Sequence, residues 1–229
     1  RLGIKVLPPD VNVSNGGFTA DADGQIRFGL NAVKNVGRNL IDKVVEERQG
    51  KPYASLYDFC KRLHGGTEMN RRAVESLIKA GAFDSIGVNR HSLVEAVEGI
   101  LKSIESDTKR NLDGQLDLFS VMMGEDTSPS DDTYEIKPFP EYSHTELLQQ
   151  EKEVSGLYLS GHPLDAYREQ SARFASHSIK MLTGEDAQKL DNTTVRIVCT
   201  IVKSRMMTTK NNTLMAFINV EDLTGTMEV

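Results

Sequence analysis

The chain has 229 residues, 38% of them hydrophobic and 26% charged, which is enough apolar material for one or two packed domains and far from a wholly disordered composition. No apolar run approaches the length of a bilayer span, no charged-then-apolar leader opens the sequence at Arg1-Leu2-Gly3-Ile4, and the two cysteines, Cys60 and Cys199, lack a C-x-x-C neighbour; these features argue against a membrane partner, a secreted disulfide scaffold and a zinc knuckle, and favour a reducing, cytoplasmic setting. The net charge of -6 is unevenly placed, since residues 27–110 hold 15 Lys and Arg against 11 Asp and Glu, a net of +4, whereas residues 111–153 hold 2 against 11, a net of -9. Different work is expected of the two stretches.

Residues 1–28 read as a connector. Lys5-Val6-Leu7 is strand-like, and Pro8-Pro9 forbids helix and favours an extended path. Phe18-Thr19-Ala20 and Gln25-Ile26-Arg27-Phe28 flank Asp21-Ala22-Asp23-Gly24, an Asp-Gly hairpin signal.

From Gly29 to about residue 110 the period becomes helical. Arg38 to Gln49 places Leu40, Ile41, Val44 and Val45 on one face and ends before Gly50 and Pro52. Ser55 and Asp58 resemble a capping box ahead of Leu56, Phe59, Cys60 and Leu63. Asn70 is placed to cap a third helix carrying Val74, Leu77 and Ile78 inward up to Gly81, and a fourth runs from about Ser92 through Leu93, Val97, Ile100, Leu101 and Ile104.

Residues 111–144 shift to Asp, Ser, Pro and Gly and read as a flexible acidic linker. Residues 145–192 read as a helical connector, with a helix near Thr145–Val154. Residues 193–229 read as the start of a β-barrel, with strands at Val195–Val202 and Leu214–Val220 joined by a polar loop from Met207 to Thr213. The absence of an initial Met and the strand-like ending Thr226-Met227-Glu228-Val229 suggest a piece of a longer chain. The expected class is α+β.

Three constellations stand out. Lys34-Asn35-Val36-Gly37-Arg38 is a tight turn followed at once by a helix; the amides of a helix start carry partial positive charge, Gly37 allows close backbone approach, and Lys34 and Arg38 add cations, a geometry that grips phosphate without reading sequence. An ordinary helical hairpin with a surface lysine gives the same pattern. Lys79-Ala80-Gly81-Ala82-Phe83 repeats it with Arg90 nearby, making Gly81, Ala82 and Arg90 candidate contacts, against the alternative of a glycine C-cap with Phe83 as a core plug. Four phosphates held by two such turns give a log affinity against log salt slope near about -3.6. Gln115-Leu116-Asp117-Leu118-Phe119 sets apolar residues in a polar segment, as a docking peptide does, unless it folds back onto the helices. Catalytic readings are weaker. Asp21 and Asp23 sit in a glycine turn, Cys60 and His64 lack further metal ligands, and Ser155, His162 and Asp165 lack a nucleophile elbow.

With these residues in view, the chain resembles the replicative C-family of bacterial DNA polymerases, in the region from the end of the fingers to the start of the OB domain. Val6-Leu7-Pro8-Pro9-Asp10-Val11-Asn12 is similar to the family's connector, and Arg27-Phe28-Gly29-Leu30 through Gly37, with Leu77 through Arg90, to its tandem helix-hairpin-helix domain. Glu151-Lys152-Glu153 through Gly161-His162-Pro163-Leu164 resembles the lead into the OB domain, and Val195–Val229 its first strands, a truncated barrel. The resemblance implies that the hairpins hold double-stranded DNA by its backbone, that Gln115–Phe119 binds the sliding clamp, and that the OB part lies near single-stranded DNA, with Lys203, Arg205 and Lys210 as weak candidates. Other replicase subunits are implied partners. The family's catalytic carboxylates and their magnesium belong to a palm domain expected upstream, so this stretch is expected to bind rather than catalyse and to need no cofactor. An error-prone relative of the polymerase, an aminoacyl-tRNA synthetase fragment and a structural adaptor without DNA contact remain alternatives.

Overall fold

The computed structural model describes residues 5–65, 69–112 and 134–229, which fall into two compact units, one ending at Ser160 and the other beginning at Gly161. The expected α+β class holds: a helical unit is followed by a unit with antiparallel strands consistent with part of an OB-like fold.

The first unit opens on a small sheet of β1 (Val6–Leu7), β2 (Thr19–Ala20) and β3 (Ile26–Arg27), with β3 parallel to β1 and antiparallel to β2. The Asp21 carboxylate accepts from the amides of Asp23 and Gln25, at 3.0 and 2.8 Å, so this acid serves the turn. The proline stretch is fixed to the helices as well. Arg48 donates to the carbonyls of Val11 and Ser14, at 3.0 and 2.5 Å, and Asn12 exchanges two hydrogen bonds with the Tyr53 backbone.

Helices α1 (Arg38–Glu47), α2 (Leu56–Leu63), α3 (Arg71–Lys79) and α4 (Arg90–Leu112) follow. The expected caps form: Ser55 accepts from the Asp58 amide and Asn70 from the Ala73 amide; at the start of α4, which opens at Arg90, Asn89 accepts from the Ser92 amide, a cap the sequence reading did not name. The inward stripes converge on one core, where Phe59 sets its ring edge against Tyr53 and Phe83 at centroid distances of 4.9 and 5.0 Å, among buried Leu30, Ile41, Leu77 and Ile100. Each such side chain contributes about 1.5–3 kcal/mol by leaving water.

Two expected divisions are corrected. Residues 134–143, assigned by composition to the linker, form an extended strap along α4: Phe139 exchanges hydrogen bonds with Asn89 and Ser92, and Glu141 accepts the amides of Arg90 and His91. Helix α5 (His144–Ser155), opened by a Ser143–Glu146 capping box, belongs with the helical unit and not with a separate connector, because Leu148, Glu151 and Val154 on its inner face are buried.

The second unit contains α6 (Arg168–Phe174), α7 (Ile179–Thr183) and an antiparallel sheet of β4 (Thr200–Thr208), β5 (Leu214–Glu221) and β6 (Thr226–Glu228), in that order. The first strand was expected over Val195–Val202, but its ladder begins at Thr200, opposite Glu221, and runs to Thr208, opposite Leu214. Arg196 instead bonds the 176–177 loop, its carbonyl accepting from the Ser176 amide at 2.8 Å. Asp222 ties this unit together by accepting from the amides of Ile179, Thr224 and Gly225.

Candidate nucleic-acid interface

The first turn is surface-borne. A 3-10 turn over Leu30–Ala32 buries Leu30 and leads through Val33 into Lys34 and Asn35, which are exposed. Asn35 takes the left-handed conformation, φ 65°, and its Nδ2 donates to Ser76 Oγ of α3 at 3.1 Å. Asparagine tolerates that conformation better than most residues. Gly37 is the N-cap of α1 with φ -77° and ψ 147°, an ordinary extended backbone, so the bend is made by Asn35. Arg38, the first helical residue, is exposed.

Lys34 is already committed in part. Its amide donates to the Val154 carbonyl at 2.8 Å and its Nζ to the Glu153 carbonyl at 2.7 Å. An ammonium has three N–H donors, so two remain for an anion.

The second turn is placed differently. Gly81, Ala82 and Arg90 are buried, and the Ala82 carbonyl accepts from the Val11 amide at 2.9 Å, so the connector lies over the turn. Gly81 has φ 83°, and a Cβ there would collide with the Arg90 guanidinium and stand 2.9 Å from Asp84 Oδ2. Its glycine answers an internal need. Arg90 was expected as a phosphate contact, and this is corrected: its side chain is 7% exposed and is gripped by Asp84, at 2.9 and 2.6 Å, by Glu151 at 3.0 Å and by the Lys79 carbonyl at 3.2 Å. Burial pulls this guanidinium down, but the Asp84 and Glu151 carboxylates outweigh it and hold it above its ordinary value.

Glu151, which sequence reasoning did not single out, organises this side of the unit. It is fully buried; Oε1 accepts from Arg90, and Oε2 accepts from the amides of Leu159 and Ser160, both at 2.9 Å. Its signal was available, since a glutamate midway between Leu148 and Val154 sits on the inward stripe of α5 and calls for a buried counter-charge. The pentapeptide Gln115–Phe119 lies outside the described residues.

Among the described residues no group of three or more His, Cys, Asp or Glu is placed to hold a metal ion, and no helix is long and apolar enough to cross a membrane. Ser155 Oγ donates to the Glu151 and Leu157 carbonyls, and His162 Nδ1 accepts the Leu164 amide, so each is occupied in its own local turn.

Residues 3–93 match the family model described as "Helix-hairpin-helix motif". The chain is 36% identical over 230 residues to the DNA polymerase III subunit alpha of Borreliella burgdorferi, 34% over 245 residues to that of Pseudomonas aeruginosa and 32% over 231 residues to that of Escherichia coli strain K12. Each match covers the whole of this chain and 19–20% of the relative, so the chain spans about a fifth of the length of these relatives.

Proposed function

We propose a function from the premise that the chain belongs to the family of DNA polymerase III alpha subunits, to which it is homologous along its whole length: it holds the sugar-phosphate backbone of duplex DNA through the Lys34–Arg38 turn. The observation that carries this is an exposed turn, within the helix-hairpin-helix match, that delivers the start of α1 to the surface between two cations. The first amides of a helix lack intrahelical acceptors and sit at its positive end, so a phosphate oxygen placed there gains hydrogen bonds and charge attraction together. Such contacts fix position without reading bases.

In this reading the polymerising activity, with its magnesium, belongs to parts of the relatives outside the aligned fifth. Gln115–Phe119 docks the sliding clamp, with Leu118 and Phe119 as the apolar anchors, and cytoplasmic replicase subunits are further partners. Single-stranded DNA is a second ligand, favoured by a cleft of about 310 Å³ on one face of the sheet lined by Lys203, Arg205, Met207, Phe217, Asn219 and Glu228, where Phe217 lies across from Arg205 in the ladder and an aromatic ring beside cations suits a stacked base and its phosphate.

Titration of a mixed-sequence duplex over about 50–200 mM salt tests the backbone reading. Two phosphates at the single open turn give a log–log slope near about -1.8, shallower than two open turns would give, and Arg38→Glu lowers affinity for every sequence alike. A flat salt response favours an adaptor without DNA contact.

A further inference from the structure

We propose that helix α5 is a working part of the backbone-gripping site and that Glu151 is its positioning residue; this rests on the reading of the Lys34–Arg38 turn given above. The last carbonyls of α5 are orphans by helix geometry, at the helix's negative end. Two of them, from Glu153 and Val154, are taken by the Nζ and the amide of Lys34, so the first hairpin turn caps α5 across 119 residues of sequence. One turn back along α5, Glu151 holds Arg90, whose guanidinium fills the space left by the missing side chain of Gly81 and caps the end of α3 through the Lys79 carbonyl. The buried second hairpin turn, α5 and the exposed first turn thus form one hydrogen-bonded series.

The buried turn therefore has a task other than touching DNA. It is the abutment from which α5 sets the height and angle of Lys34. Because the first turn also leans on α3 through Asn35 and Ser76, both of its neighbours trace back to the Arg90 cluster. The other Glu151 oxygen holds the amides of Leu159 and Ser160, the last residues of this unit, so the carboxylate also fixes the path by which the chain leaves it.

The test compares wild type with Glu151→Gln, whose amide oxygen still accepts from Leu159 and Ser160 while its charge for Arg90 is gone. Hydrogen exchange is followed at the amides of Lys34, Leu159 and Ser160, and at Phe59 in the core of α2 as control, alongside duplex affinity well below the melting midpoint. The expected result is exchange that rises further at Lys34 than at Leu159, Ser160 and Phe59, any rise at Phe59 reporting the general cost of breaking the buried pair, and duplex binding weakened about threefold to tenfold, inside the range of about twofold to thirtyfold by which residues remote from a ligand modulate its binding. Arg90→Lys, which keeps the charge, is expected to retain most of the affinity. Unchanged Lys34 exchange and affinity in a folded Glu151→Gln overturn the proposal, and so does Phe59 exchange rising in step with Lys34, the sign of a merely structural role. Should that variant not fold, the wild-type chain decides: Lys34, Leu159 and Ser160 opening together supports the coupling, and independent opening overturns it. A wild type that binds no duplex overturns the gripping function itself, while the exchange arm still decides whether Glu151 holds the turn.

Discussion

The Tyr134 phenol lies on the bare backbone of Gly99 in the middle of α4, where a Cβ would stand 3.0 Å from the tyrosine Cζ and closer still to its hydroxyl oxygen. The ring also stacks on Tyr57, at 6.3 Å between centroids and 15° between planes. A glycine inside a helix costs about 1 kcal/mol against alanine, and here the vacancy is filled by the first described residue of the strap.

Gly99→Ala therefore destabilises the chain despite its better helix propensity, because it lifts Tyr134 away. Adding Tyr134→Ala removes the conflict, so the double variant is expected to be more stable than the sum of the two single changes implies. Thermal melts across the four proteins check this, with exchange at the Phe139 amide, bonded to Ser92 Oγ at 2.8 Å, reporting the strap itself.

Arg90→Met leaves Glu151 buried without its counter-charge. Breaking a buried pair from one side costs about 3–5 kcal/mol, and urea unfolding of the first unit is expected to shift by that amount. A change below about 1 kcal/mol would mean that water reaches the carboxylate.

The two cysteines separate by reactivity. Burial pushes the Cys60 thiol up to about 12, and Cys60 is fully buried, whereas Cys199 is half-buried. A thiol-specific reagent near pH 8 is expected to modify Cys199 in the native chain and to reach Cys60 only on unfolding. Equal rates would contradict the placement of Cys60 on the inner face of α2.

Acid weakens the second unit through Asp222. Burial works to raise this carboxyl, but hydrogen bonds from Thr224, Ile179 and Gly225 prevail and hold it below its ordinary value of 3.8. A carboxyl depressed in the folded state contributes stability that is present above pH 3.8 and is lost as pH falls through its lower folded value. Asp222→Asn is expected to lower stability at neutral pH and to flatten its dependence in that acid window, as followed by circular dichroism.

The helical elements were legible because their signals are local. Ser55 and Asn70 cap the helices they precede, Asp21–Gly24 makes the turn it spells, and the apolar stripes of α1 to α4 face the core. What escaped depends on distant partners. Arg90 looks like a free cation beside a glycine turn, and Glu151, 61 residues away, joins Asp84 in making it internal. Residues 134–143 have a linker's composition, yet prolines and aromatics are also what an extended strap needs to lie on a helix. The start of β4 was misplaced by five residues because alternation over Val195–Cys199 marks an extended chain without saying what it pairs with.

On the proposed function, only the first of the two hairpin turns is open to DNA. Hydrogen exchange of the chain with and without saturating duplex tests it directly, since a bound phosphate protects the amides it accepts from. Slowed exchange over residues 36–40, with residues 81–83 unchanged, is the expected result; slowed exchange at 81–83 without any at 36–40 would contradict the account.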